Sequence, residues 1–428
     1  MTPAAEGKGP SRWTIIGLLT GLSLVNYMSR TNISIATKFI KPEFGLSDIQ
    51  MGQVFSSFLI GYTLFQIPAG RLGDRFGPRL VLALAAFSWG LTTLLSGLVP
   101  GALVAGTAGV LVAFFVLRFF LGVGEAAMYP VAARTIANWL PPAGRARANA
   151  IVIAGAPLGS AAAPPLISWL MVNLGWRESF YAISLLGFGI AVIWWIKGRD
   201  YPLRAHSAAP AAGAEPSPSW WSLFRNRNVV LLSISYFVAG YVLYIFIFWL
   251  YTYLVDVRKY SVLGGGLYSS LPWLTAFILA PLGGALSDTL TRRWGASRGR
   301  RTVAVGGLTL SAIALLYGAT VANPTLAIVG LALAVGFEHF TEGTFWASTS
   351  NIAGPHAGAA TGILNTMGNL GGVASTALVP VFVKYFGWEV ALGSGSVLAV
   401  LGGLLWFAID LNGSETAGRK ERGVNSKP

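Results

Sequence analysis

Gly70-Arg71-Leu72-Gly73-Asp74-Arg75-Phe76-Gly77-Pro78-Arg79 is a short basic segment set between two long apolar runs. Glycine and proline punctuate it, and its arginines suit the cytoplasmic face of a membrane, where Lys and Arg collect in short loops. Part of it returns as Gly284-Ala285-Leu286-Ser287-Asp288, again followed by basic residues. Gly175-Trp176 returns as Gly387-Trp388, and Pro142 as Pro355. The three echoes fall at offsets of 212 to 214 residues, each after an equivalent apolar run. That pattern indicates duplication of a six-helix unit. Parallel repeats of this kind build transporters whose site is expected between the halves, near mid-membrane.

The composition agrees. The 428 residues are 54% hydrophobic and 11% charged, with mean hydropathy +0.62. Soluble domains carry about 25% charged residues, so an ordinary soluble fold is excluded. Without cysteine there are no disulfides, thiolate zinc sites or cysteine nucleophiles. His206, His339 and His356 are too widely spaced for a histidine-rich metal site. No nucleophile–base triad or phosphate-binding loop is visible, so neither an enzyme nor a resident cofactor is expected. A net charge of +14 would suggest nucleic acid in a soluble chain. Here the cations sit in loops between apolar runs and orient the chain instead.

Apolar runs at 13–36, 49–69, 80–99, 109–139, 148–171, 178–196, 228–254, 262–287, 302–321, 325–350, 358–383 and 388–410 give twelve expected spans. With both termini inside, 21 basic residues fall in inside segments and six outside, while Arg30, Arg118 and Arg134 lie in spans. This predicts cytoplasmic termini and a multi-pass protein of the inner cell membrane. The first run has no small-residue cleavage site and reads as a retained helix. The expected organisation is a cytoplasmic tail (1–12), an N-terminal bundle (13–197), a mobile Ala/Pro/Ser-rich linker (198–227), a C-terminal bundle (228–412) and a second tail (413–428).

The 70–79 segment, in its place between the second and third spans, resembles the loop motif of the major facilitator superfamily. A narrower resemblance, to the anion:cation symporter family of sugar-acid and hexuronate transporters, rests on several further stretches. These are Asn26-Tyr27-Met28-Ser29-Arg30-Thr31-Asn32, Arg118 to Pro130 with its Arg-Phe-Phe-Leu-Gly-Val-Gly-Glu core, Phe248 to Leu254, and Asn365-Thr366-Met367-Gly368-Asn369. It covers nearly the whole chain outside the linker and tails. The implied fold is an all-α membrane protein of two pseudo-symmetric six-helix bundles. The implied activity is transport of a small organic anion by alternating access.

Arg30 lies inside the first span, where a guanidinium costs roughly 2.5–3.5 kcal/mol unless it meets a cavity or a partner. Its planar fork suits a carboxylate, and the resemblance implies that it binds the substrate's. Tyr27, Thr31 and Ser34 share its face. Arg118 and Glu125 stand two helical turns apart, roughly 10 Å along one face, so each is expected to meet a partner on another helix. Burial in low dielectric favours a protonated carboxyl, which makes Glu125, with Arg118, a candidate for proton coupling. Proton-coupled sugar-acid members of the family carry an aspartate just before this arginine, whereas this chain has Ser29. Glu338, His339 and Glu342 in the tenth span are expensive in a membrane unless functional or paired, and Glu342 is taken as the compensating proton site. The resemblance adds substrate contacts at Tyr27, Tyr62, Asn365 and Asn369, with Trp346 completing the pocket. Asp74, Arg75 and Asp288 read as latches that hold one access state.

The expected function is proton-coupled import of sugar acids by a monomeric chain whose partners are a carboxylate substrate, protons and the bilayer. Uniport or electrogenic exchange of a carboxylate is the alternative, with export of amphipathic compounds more distant.

Overall fold

The computed structural model describes residues 10–99, 104, 106–201 and 220–411, and all its regular elements are helical. Most of both tails and residues 202–219 of the expected linker lie outside the described residues. In chain order the long helices are α1 Arg12–Phe44, α2 Asp48–Phe76 and α3 Pro78–Leu98. Then come α4 Gly106–Trp139, α5 Pro142–Asn173, α6 Trp176–Lys197 and α7 Arg227–Phe248. α8 is Val262–Trp294, α9 is Ala296–Thr320 and α10 is Pro324–Ala353. The stretch Ala357–Leu405 is two helices, α11 (357–386) and α12 (388–405), joined at Gly387.

Nine stretches among the described residues are long and apolar enough to cross a membrane, against twelve expected. α11 and α12 run together as one of the nine. α1 and α2 fall short of the hydropathy because they are polar inside. Asn26, Ser29, Arg30, Thr31, Asn32, Ser34 and Thr37 of α1 are all buried, as are Ser56, Ser57 and Gln66 of α2. A helix that hides its polar face in protein can carry it through a bilayer.

The duplication is written in the backbone. Gly175 (φ 118°, ψ 160°) separates α5 from α6, and Gly387 (φ 85°, ψ 172°) separates α11 from α12. An L side chain is strained in that region. The helix crossings repeat as well. A Cβ on Gly159 of α5 would strike the Leu24 carbonyl of α1, and one on Gly371 of α11 would strike the Phe237 carbonyl of α7. These pairs are related by 212 and 213 residues, within the range of the sequence echoes. Small residues at such crossings let membrane helices approach backbone to backbone.

The chain divides into two compact units, Met1–Leu46 with Ile60–Ala214, and Ser47–Leu59 with Glu215–Pro428. In the first, α1 packs on α5 and α3 on α6; in the second, α7 packs on α11, and α9 on α10 and α12. The start of α2 belongs to the second unit. There Ser56 Oγ lies 2.8 Å from Thr376 Oγ1, and Phe55 stacks on Phe248 at 4.8 Å between centroids. The first residues of the expected linker are tied down. Asp200 accepts the Arg79 N–H at 2.8 Å, and the Trp139 indole donates to the Arg199 carbonyl at 3.0 Å. These bonds pin residues 199 and 200 to the first unit.

Two helices are interrupted at matching places. The first part of α4 ends at Glu125, and the helix resumes at Met128, with Pro130 unable to donate to the ladder. α10 is interrupted at Thr341, whose hydroxyl bonds back to the Glu338 carbonyl at 2.7 Å.

Candidate functional site

The first unit buries its expected charges together. Arg30 donates from Nε and Nη2 to the same oxygen, Glu125 Oε2, at 3.0 and 2.8 Å. The two side chains are 1% and 0% exposed, so Arg30 meets a carboxylate of its own chain. Its guanidinium also lies 4.4 Å from the Tyr27 ring and 4.9 Å from the Tyr62 ring, a favourable placement against the negative faces of the π systems. Arg118 meets other helices, as its spacing from Glu125 required. Nη1 donates to the Ser29 carbonyl of α1 at 3.3 Å, and the guanidinium sits 5.6 Å from the Phe180 ring of α6. Arg118 Nε and Nη2 are buried with no hydrogen-bond partner, and the Asn26 amide lies beside the Glu125 carboxyl. Unsatisfied buried polar atoms are costly.

The second unit holds a different cluster. Glu342 Oε1 accepts from the Tyr236 hydroxyl at 2.9 Å and from the Trp346 indole at 2.5 Å. One turn earlier, Glu338 Oε2 lies 2.6 Å from Nδ1 of His339, which also lies 3.1 Å from the Val335 carbonyl. Asn369 accepts from the Tyr244 hydroxyl at 2.8 Å and donates to the Asn365 carbonyl at 2.9 Å. Trp346, Asn365 and Asn369 are thus each tied to a neighbour. Sequence reasoning missed Tyr236 and Tyr244. Their spacing of eight residues in an apolar helix was the available signal, since it puts two hydroxyls on one face.

At the repeat offset of 213 residues, Glu125 corresponds to Glu338, Arg118 to Leu331 and Arg30 to Leu243. At these positions the second half has the acid and neither cation.

The loop acids are paired differently. Asp74 Oδ1 lies 3.5 Å from Arg134 Nε, both exposed, while Arg75 rests on Phe76, 5.1 Å from its ring. Asp288 is exposed within electrostatic reach of Arg300, which donates to the Ala347 carbonyl at 3.1 Å. Ala347 is the repeat counterpart of Arg134, so the cation facing the duplicated aspartate has moved from the fourth helix of one half to the third helix of the other. An open groove of about 480 Å³ along α2, α3 and α4, lined by Phe65, Leu72, Leu84 and Val123, holds no charged side chain and is unsuited to an anion.

A family model, Major Facilitator Superfamily, matches residues 19–376 and 290–427. The hexuronate transporter of Bacillus subtilis (strain 168) is 32% identical over 393 residues, 90% of each chain. The probable sulfoacetate transporter of Cupriavidus necator is 31% identical over 392 residues, 88% of each chain. The solved structure of a D-xylose-proton symporter matches with TM-score 0.76 at 16% identity, over 94% of this chain and 98% of that one, which is a likeness of fold. With a family match over most of its length, and with duplicated helical units that bury ionisable groups in their interiors, the chain belongs to the Major Facilitator Superfamily and is a membrane transporter.

Proposed function

We propose that this chain imports small organic anions, sugar acids among them, and that import is coupled to protons through Glu125. Relatives named for a hexuronate and for sulfoacetate share an acidic head group as the feature to be recognised. The observation that carries the reading is the pair of bonds from Arg30 to one oxygen of Glu125, with both side chains buried.

A buried guanidinium needs an anion, and here Glu125 supplies it. Protonation of Glu125 removes that charge and frees the fork of Arg30 for a substrate carboxylate. Arrival of a monoanion with a proton leaves the net charge of the Arg30–Arg118–Glu125 set unchanged, whereas either alone changes it by one unit in low dielectric. Coupling follows from that imbalance. Arg118, with two buried donors lacking partners, adds attraction for the anion. Tyr27 and Tyr62 border the Arg30 guanidinium and offer hydroxyls to a sugar chain. Trp346 and Asn369 would bind substrate by exchanging their present hydrogen bonds for new ones, with the Asn365 side chain one turn before Asn369 adding a contact. Asp74, Arg75 and Asp288 act as latches through Arg134 and Arg300, contacts exposed enough to break at small cost. The chain lies in the inner cell membrane with both termini in the cytoplasm.

The test is uptake into proteoliposomes of hexuronates, aldonates, sulfoacetate and uncharged sugars, with pH gradient and voltage imposed separately. Saturable uptake of the acids, accelerated by an inward proton gradient, is expected. Equal uptake of uncharged sugars would remove Arg30 from recognition. Acid uptake indifferent to the pH gradient would leave uniport or exchange.

A further inference from the structure

Proton coupling through Glu125 leaves a second buried acid unexplained. Glu338 occupies the repeat position of Glu125, beside the interruption of α10 as Glu125 is beside that of α4. It is 3% exposed. Neither arginine that faces Glu125 has a counterpart here, because leucines stand at 243 and 331. The partner is instead His339, with its Nδ1 2.6 Å from Glu338 Oε2.

Building on the transport reading, we infer that the Glu338–His339 pair is a second proton-carrying site, which takes its proton on Nε2 of His339. The chemistry is set by what surrounds the ring. Nδ1 faces two acceptors, the Glu338 carboxylate and the Val335 carbonyl at 3.1 Å, so Nδ1 carries the hydrogen in the neutral ring. The remaining lone pair is on Nε2. The His339 side chain is 18% exposed against 4% for Glu338, which makes the ring the entry point for the proton. Uptake converts a neutral imidazole beside a carboxylate into an imidazolium–carboxylate pair, and release reverses it.

The other titratable groups facing the pair are Glu342, on the same helix, and Tyr236 of α7, which donates to Glu342. Trp273 of α8 meets the imidazole edge-on, 6.1 Å between ring centroids. Arg300 of α9 is bonded to the Ala347 carbonyl further along α10. Glu342 Oε1 already accepts from Tyr236 and Trp346, whereas the ring of His339 keeps one nitrogen outside its contacts with Glu338 and Val335. The pair stands one turn before Glu342, the proton site expected from the sequence. A metal is the other use for such a cluster. No set of three His, Cys, Asp or Glu among the described residues could hold one.

Two measurements on the full chain test this. In reconstituted protein, pH-difference infrared spectra should contain imidazole ring bands that disappear in His339→Gln and shift in Glu338→Gln, while both persist in Glu125→Gln. In proteoliposomes, the D-glucuronate gradient balanced by a fixed pH gradient should correspond to one proton fewer per substrate in His339→Gln than in the parent. Glu338→Gln is the second variant should His339→Gln fold poorly. Titrating imidazole bands in His339→Gln identical to the parent's, or a coupling ratio equal to the parent's in both variants, would overturn the proposal. Absence of D-glucuronate uptake by the parent would count against the transport reading alone, since the infrared bands are independent of it.

Discussion

The interrupted helices α4 and α10 come from one ancestral helix and still hold an acid at the same place, yet their surroundings have opposite character. Around Glu125 stand two arginines, and the buried set carries net positive charge. Around Glu338 stand a histidine and a second glutamate, and the set is acidic. Backbone geometry has been conserved through the glycine breaks and crossings, while two cation-to-leucine differences reset the electrostatics. A positive pocket can hold an anion that an acidic one repels, whereas an acidic one can hold a proton. The duplicated scaffold thus supplies two equivalent places, and a few side chains decide what each one binds.

The strongest test of that contrast is Arg30. Arg30→Ala should abolish anion uptake and also destabilise the protein, because Glu125 is left buried without its cation, a loss of about 3–5 kcal/mol. Adding Glu125→Gln should recover most of the melting temperature and none of the uptake. Wild-type affinity in the single variant would show that the anion binds elsewhere. Next in size is Glu125→Gln alone. It should uncouple uptake from the pH gradient through this residue while exchange of labelled for unlabelled anion stays measurable. A pH profile identical to the parent's would deny Glu125 its role. Residual pH dependence lost only on adding His339→Gln would assign the remainder to α10.

Arg118→Leu copies the residue found at the equivalent position of α10. The guanidinium has two unsatisfied buried donors, and replacing a buried charge with an apolar side chain is often neutral or stabilising. Thermal stability should hold or rise. Anion affinity should fall roughly tenfold or more, the loss of one charge-assisted contact. A fall in stability with affinity intact would make Arg118 a structural cation.

These contrasts bear on what the sequence could reveal. The runs of apolar residues gave the spans, and the Gly-Trp echo located the break that the backbone places at Gly175 and Gly387. Charged residues inside spans were legible because each one is costly and demands a reason. Their partners were not. Seven residues along a helix relate Arg118 to Glu125, but nothing in the sequence relates Arg30 to Glu125 across 95 positions. The helix crossing decides that pairing. Tyr236 and Tyr244 escaped notice because tyrosine in an apolar helix is ordinary until its hydroxyl is seen on Glu342 or Asn369. Asp74 and Asp288 looked alike in sequence, and only the structure shows that their arginines come from different helices.

The smallest expected effect lies beyond the apolar part of α1, where the halves differ again. Glu43 accepts from the Trp176 indole at 2.8 Å and from Arg177 Nη2 at 2.5 Å. The residue equivalent to Arg177 is Glu389, which cannot close such a pair. Burial opposes ionisation of Glu43, but the hydrogen bonds from Arg177 and Trp176 and the arginine's charge outweigh it and hold the carboxyl below its ordinary value. A carboxyl lowered in the folded state adds stability above the unfolded value, about 4.3 for Glu, and that stability is lost as pH falls through the lower folded value. The pair is a third exposed, so solvent limits it to about 0–1 kcal/mol. Glu43→Gln should therefore lower the melting temperature slightly at pH 7, and the gap to the parent should close as the pH drops below about 4. A gap that stays constant to low pH would mean that Glu43 acts by packing against Trp176 and not through its charge.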